Sequence, residues 1–298
     1  MMTRRLVVGS PLALAACGGP ARLRIGYQKN GLLLIARERA TPAADWREFP
    51  SGPPLLEAMS VGGLDLGGTG DTPPIVAQAS GANIVYVAAQ PVSGAAAAIL
   101  VPRGSALRTA ADLRGRRVAW LRGSSAQGLV AGVLADAGLT VGDIEAVNLA
   151  PDAAAGAFAG GSLDAWAVWD PYFAAAEAEG ARVLVPGRPL AASNSFILAN
   201  RDFARDYPRD LTAALDALAG TARWAAANRP ALAALITRAA KLHPNVATRV
   251  AARQDLTLVP LTAAIITREQ EIADALFRDA SIPARVDVGA AVWRGWAG

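Results

Sequence analysis

The segment Gly123-Ser124-Ser125-Ala126 joins a glycine and two hydroxyls to the start of an apolar helical pattern carrying Leu129, Val133 and Leu134. A strand pattern, Arg117 to Leu121, precedes it. The turn therefore puts the unpaired N–H groups of a helix start, and two O–H groups, at the carboxyl end of a strand. That set suits the oxygens of a tetrahedral anion, and it equally suits a helix capped by one of the serines. Thr69-Gly70-Asp71-Thr72-Pro73 has the same form, with Gly70 allowing close backbone approach and Pro73 fitting a first helical turn. Asp71 would repel an anion, so it is expected either to cap the helix or to pair with a ligand amine. Gln28, just past the first strand pattern, can donate to an oxyanion without adding charge, or can sit solvated in a loop. Trp169 and Tyr172 flank Asp170-Pro171 and can wall an apolar slot beside a carboxyl group. Asn194 either reaches the same cleft or holds a turn. These residues form the expected ligand-binding set.

Covalent and metal chemistry are poorly supplied. The single histidine, His243, lies in Leu242-His243-Pro244 between tail helices, so neither a Ser-His-Asp relay nor a two-histidine metal site assembles around the cleft. The single cysteine is Cys17, near the amino terminus, which leaves the folded part without a disulfide or a thiol nucleophile.

Alternating short apolar runs and helical patterns position the candidates. Strands are expected at Leu23 to Tyr27, Trp46 to Phe49, Ile84 to Ala88 and Ala95 to Val101, with a helix opened by Gly52-Pro53-Pro54 and closed by Gly62-Gly63. Pro102-Arg103-Gly104-Ser105 breaks the pattern and marks a first crossover. A second block follows, with strands at Arg117 to Leu121, Ala146 to Leu149, Ala165 to Val168 and Arg182 to Val185, helices between them, and a parallel sheet as the expected product. Phe196 to Ala199 reads as a return strand, and the chain beyond Arg201 is nearly all helix, expected to pack back on the first block. The boundaries are residues 1–21 for a processing signal and tether, 22–101 plus 197–298 for lobe 1, and 102–196 for lobe 2.

The chain has 298 residues, enough for two medium domains, and its net charge of +4 modestly favours anionic ligands. Its basic residues are dispersed rather than clustered with aromatics, which gives no support for nucleic-acid binding. At the amino terminus Arg4 and Arg5 precede an apolar stretch, Leu6 to Ala16, that ends in Leu14-Ala15-Ala16-Cys17. This resembles a bacterial lipobox, in which Cys17 would be acylated and become the membrane anchor; Ala13-Leu14-Ala15 also fits an ordinary signal-peptidase site. Thr3-Arg4-Arg5 further resembles a twin-arginine export signal.

Ile25-Gly26-Tyr27-Gln28-Lys29, Glu48-Phe49-Pro50-Ser51-Gly52-Pro53, Thr69-Gly70-Asp71, Gly123-Ser124-Ser125 and Trp169-Asp170-Pro171-Tyr172 occur in an order that resembles the aliphatic sulfonate-binding proteins. Those belong to the nitrate, sulfonate and taurine receptors of ABC importers. The resemblance implies an α/β periplasmic-binding-protein fold, type II-like, with two doubly wound lobes joined by two hinge strands around a ligand cleft. It implies a monomeric receptor that needs no cofactor, takes a small organic anion such as an alkanesulfonate, and passes it to a membrane permease. Nitrate, taurine and a thiamine-pyrimidine precursor are the alternative ligands. Sulfinate-cleaving desulfinases and thiamine-precursor synthases resemble the same fold, but the cysteine and histidine chemistry they use is missing here. The short connection from Arg37 to Asp45 departs from the family pattern at one edge of lobe 1.

Overall fold

The computed structural model describes residues 22–92, 94–187 and 193–298. Two five-stranded mixed sheets, each covered by helices, organise them. The first sheet contains β1 (Leu23–Tyr27), β2 (Ala44–Glu48), β3 (Leu66–Thr69), β4 (Ile84–Val92) and β10 (Ser193–Asn200), in the order β2-β1-β3-β10-β4. The second contains β5 (Ala97–Val101), β6 (Arg117–Trp120), β7 (Glu145–Asn148), β8 (Ala165–Trp169) and β9 (Arg182–Pro186), in the order β7-β6-β8-β5-β9.

Both sheets depart from the expected all-parallel pattern at one strand. β10 runs antiparallel to β3 and β4, and β5 runs antiparallel to β8 and β9. Each is the strand by which the chain has crossed from the other lobe, and it enters from the opposite end of the sheet. β5 was expected in lobe 1 because Ala97–Val101 reads as one more buried strand after β4. Instead it sits inside the second sheet, so the first exchange falls between Val92 and Ala97 rather than after Val101, and the first sheet regains the chain at Ser193 rather than at residue 197.

The period-two alternation of the strands sorts their side chains onto two faces. Ile99, Val101, Val118, Ala165 and Ala167 join one apolar cluster, while Ala98, Leu100, Ala119, Trp166 and Val168 join the other across the same sheet. In the first sheet Ile197 and Ala199 face one cluster, and Phe196 and Leu198 face another.

Helices cover these faces. α1 (Gly31–Glu38) buries five consecutive residues, Leu32 to Ala36, because the first sheet lies on one side of it and tail helices α8 (Pro208–Ala227) and α9 (Arg229–Ala239) on the other. α2 (Gly52–Ser60) starts on Pro53 and Pro54, whose missing N–H groups cost nothing in a first turn, and Gly62 ends it at φ 76°. α3 (Thr72–Ala79) and α4 (Ser125–Asp136) begin at the two candidate anion segments. α5 (Pro151–Ala159) and α6 (Tyr172–Ala178) flank β8, and α7 (Arg201–Asp206) follows β10 directly. In the tail, α10 (Pro244–Arg253) and α11 (Ala263–Arg278) return to lobe 1, where Val246 and Val250 join the cluster of Leu32 to Ile35, and Ala273 and Leu276 join the opposite one. The tail therefore packs on lobe 1, on both faces of its sheet.

Candidate ligand-binding site

A cavity of about 560 Å³ lies between the lobes, a size suited to an organic ligand. Gln28, Thr69, Gly70, Asp71, Ser124, Ser125, Trp169, Asp170 and Asn194 all line it. Tyr172 does not. Its hydroxyl donates to Asp152 Oδ1 at 3.1 Å, and it lines a separate cavity of about 150 Å³ on the far side of Trp169. The expected Trp169–Tyr172 slot is thus split, with Trp169 lining both cavities and Tyr172 only the smaller, where its hydroxyl is held by Asp152.

The two serines differ in what they can offer. Ser124 occupies the N-cap position of α4, but its hydroxyl donates to the carbonyl of Leu121 at 2.7 Å and makes no capping bond. The expectation that it caps the helix is corrected on that ground, and Ser125 carries the hydroxyl left without a protein partner. Among the described residues the Ser125 hydroxyl has no partner, nor do the amides of Ser125 and Ala126, which no carbonyl of the helix reaches. These three donors, at the positive end of a twelve-residue helix, form a group suited to attract an anion into the cleft.

The first lobe supplies a capping carboxylate and a neutral amide. Asp71 caps α3 by accepting from the Thr72 amide at 2.6 Å and from the Thr72 hydroxyl at 3.1 Å. Gln28 donates one amide hydrogen to the carbonyl of Gly68 at 3.1 Å, which leaves a second hydrogen and the amide oxygen. Glycine at 52 is required because a Cβ there would sit 2.3 Å from Thr69 Oγ1. Behind Asp71, Glu269 is buried, and its pKa is pushed well above the usual carboxylate range, first by burial and then by the charge of Asp71. The Tyr86 hydroxyl lies 3.3 Å from its Oε1. A carboxyl that resists ionising there limits the negative charge behind an anion site.

Residues that local sequence does not single out also line the cavity, among them Asn30, Gln90, Arg253, Arg268 and Arg278. Gln90 is buried on β4 and donates to the carbonyl of Leu256 at 3.2 Å. Arg253, the last residue of α10, donates to Asp170 Oδ1 at 3.3 Å and to Glu177 Oε2, and stacks 4.0 Å from the centre of the Phe173 ring. No local pattern marks these side chains: Asn30 sits in the loop after β1, and Gln90 and Arg253 reach the cleft from elements whose own sequence speaks only of packing. His243 is exposed at the other end of α10, bonded to Asn245, and is not among the cavity residues. No cluster able to hold a metal ion occurs among the described residues.

Two α/β lobes that exchange strands twice around a cleft, with a helix start from each lobe aimed into it, define a two-lobed binding protein of the kind that captures solutes between its halves. The family described as NMT1/THI5 like matches residues 52–232. A protein of Escherichia coli (strain K12) named for binding aliphatic sulfonates is 38% identical over 295 residues, 96% of this chain and 92% of its own. The alkanesulfonate-binding protein SsuA from Xanthomonas axonopodis pv. citri, solved bound to MOPS, superposes with a TM-score of 0.88 at 41% identity, over 93% of this chain and all of that one. The periplasmic aliphatic sulphonate binding protein SsuA from Escherichia coli gives 0.82 at 38% identity over 92% of both chains. The chain belongs to the NMT1/THI5-like family and, within it, to the aliphatic sulfonate-binding proteins.

Proposed function

We propose that this protein is a periplasmic receptor that captures an organosulfonate between its lobes and delivers it to the permease of an ABC importer, without chemical change to the ligand. The single observation that carries this reading is the free donor set at the start of α4, the Ser125 hydroxyl with the amides of Ser125 and Ala126, opening onto a cavity of about 560 Å³. A sulfonate has three equivalent oxygens and stays ionised across the physiological range, so several N–H and O–H donors can hold it without a full counter-charge. Gln28, Thr69 and Gly70 face it from the first lobe, and Trp169 offers an apolar wall to the organic part. Asp71, Asp170 and Asn194 line the same cleft.

Calorimetric titration with a homologous series of alkanesulfonates, the matching carboxylates, nitrate and taurine tests the assignment. Sulfonates should bind tightest. Ser125→Ala should weaken them by roughly 10- to 150-fold, the effect of removing about 1.5–3 kcal/mol of hydrogen bonding to a charged group. Ser124→Ala should leave affinity within a few-fold, since its hydroxyl is engaged by Leu121. Tighter binding of nitrate or a carboxylate than of every sulfonate would overturn the ligand and leave the receptor fold intact.

The signal Leu14-Ala15-Ala16-Cys17 lies outside the described residues and supports a lipid anchor on Cys17. Dual or triple acylation gives stable membrane attachment, so Cys17→Ser should move the protein from the membrane to the soluble fraction. A wild-type protein that is already soluble, with an unmodified thiol at position 17, would rule the anchor out.

A further inference from the structure

We infer that Arg253 is a positioning residue that clasps the two lobes in their closed register, rather than a counter-charge that touches the ligand. This inference rests on the sulfonate-receptor reading above. Arg253 belongs to α10, which packs in lobe 1, yet its charged partners are both in lobe 2: Asp170 at the end of β8 and Glu177 on α6. Arg249, one turn earlier on α10, lies 3.7 Å from the same Glu177. From the loop after β1, Asn30 Nδ2 donates to the carbonyl of Asp170 at 3.0 Å, so a second lobe 1 residue holds the same point. Ala174 of α6 is buried in the lobe 1 cluster that includes Val246 and Val250 of α10, which gives the clasp an apolar seat.

Arg253 lines the cavity, and an arginine in an anion-binding cleft invites the simpler assignment of ligand contact. Its bonding opposes that. One terminal nitrogen is held by Asp170, the other by Glu177, and the guanidinium lies over the Phe173 ring. The side chains of Asp170, Glu177 and Arg253 are 2%, 18% and 20% exposed, so water screens the group little. A hinge motion that parts α10 from α6 would solvate all three. In the closed register, removing either side of the pair strands the other as a buried charge, which costs more than the intact pair contributes.

Binding of ethanesulfonate to the full chain carrying Cys17→Ser, at pH 7.5, separates the two assignments. The measurements are dissociation rates and the ligand-induced fall in radius of gyration by small-angle scattering. Arg253→Met should speed dissociation and weaken affinity by roughly ten- to thirtyfold, and should blunt the compaction. The double variant Asp170→Asn/Glu177→Gln, which strands the guanidinium, should do the same. The triple variant that combines them should recover most of the wild-type affinity, because no buried charge is left unpaired. A ligand-contacting arginine gives opposite signs: freeing it from its carboxylates would tighten sulfonate binding, and the triple variant would stay as weak as Arg253→Met. Either of those results, or unchanged affinity in Arg253→Met, overturns the inference. If Arg253→Met does not fold, Glu177→Gln alone carries the test, with faster dissociation expected and tighter binding excluding the clasp. Failure of the wild type to bind any sulfonate would instead remove the functional reading on which the clasp depends.

Discussion

Gly70→Val will reduce sulfonate affinity by roughly 150-fold while leaving the unliganded protein close to wild-type stability. Gly70 of lobe 1 and Ser125 of lobe 2 meet across the cleft: a Cβ placed on Gly70 would lie 2.5 Å from Ser125 Oγ and 2.9 Å from Ser125 Cβ. The hydroxyl can rotate away, but the Cβ is fixed by α4. Relief then requires the lobes to stand apart, and separation withdraws the α4 donors from the first-lobe groups. Overpacking of a well-fitted contact costs up to about 3 kcal/mol, or roughly 150-fold in affinity. The backbone at Gly70 is outside the left-handed region, so valine imposes no conformational strain on lobe 1 itself. The quantities to compare are calorimetric affinity and the midpoint of thermal unfolding without ligand. A large loss of midpoint with affinity intact would mean that Gly70 serves the fold of lobe 1 and not closure. Gly128 makes the reciprocal contact, with a Cβ there lying 2.8 Å from Thr72 Oγ1, and Gly128→Val should repeat the pattern.

How far the site could be read from the sequence follows the range of the interactions involved. Gly123 to Ala126 and Thr69 to Pro73 are strand-to-helix turns, set by residues within a few positions of one another, and both start helices that line the cavity. The sheet that a strand joins is not local. Ala97–Val101 is apolar on both faces and would fit either sheet; β8 and β9, more than sixty residues away, decide the matter by pairing with it. The direction of Tyr172 is similar, since α6 turns the ring toward Asp152 although Trp169 and Asp170 beside it in sequence line the main cleft. Arg253 is the furthest from reach. An arginine in the last turn of an amphipathic helix reads as a favourable helix-dipole partner, and only the packing of α10 on α6 reveals that its partners belong to the other lobe.

Asp170 carries the last prediction, because the burial that fixes its position also perturbs its charge. Its pKa is raised from 3.8 to about 6, with burial the largest cause; the Arg253 guanidinium and the Ala174 amide act against the rise, and Glu177 adds to it. Among the described residues its buried Oδ2 has no hydrogen-bond partner, in keeping with the dominance of desolvation. In the unfolded chain the same carboxyl ionises near its ordinary value. Between about pH 4 and pH 6 the folded chain therefore holds a proton that the unfolded chain has released, and stability must fall as pH rises through that window. The contribution is fully present below about pH 4 and is lost above about pH 6, and a rise of that size is worth about 3 kcal/mol. Urea unfolding of wild type and Asp170→Asn from pH 4 to 7.5 reads this effect, because carboxyls remote from Asp170, including the raised Glu269 and the lowered Asp112 and Asp143, cancel in the difference, and repeating the comparison in Glu177→Gln removes the one carboxyl that shares Arg253. The wild type should lose about 3 kcal/mol relative to the variant across the window. A flat difference would mean that Asp170 ionises freely in the fold. A difference of opposite slope would mean that attraction to Arg253 outweighs desolvation, making the clasp a source of stability as well as of register.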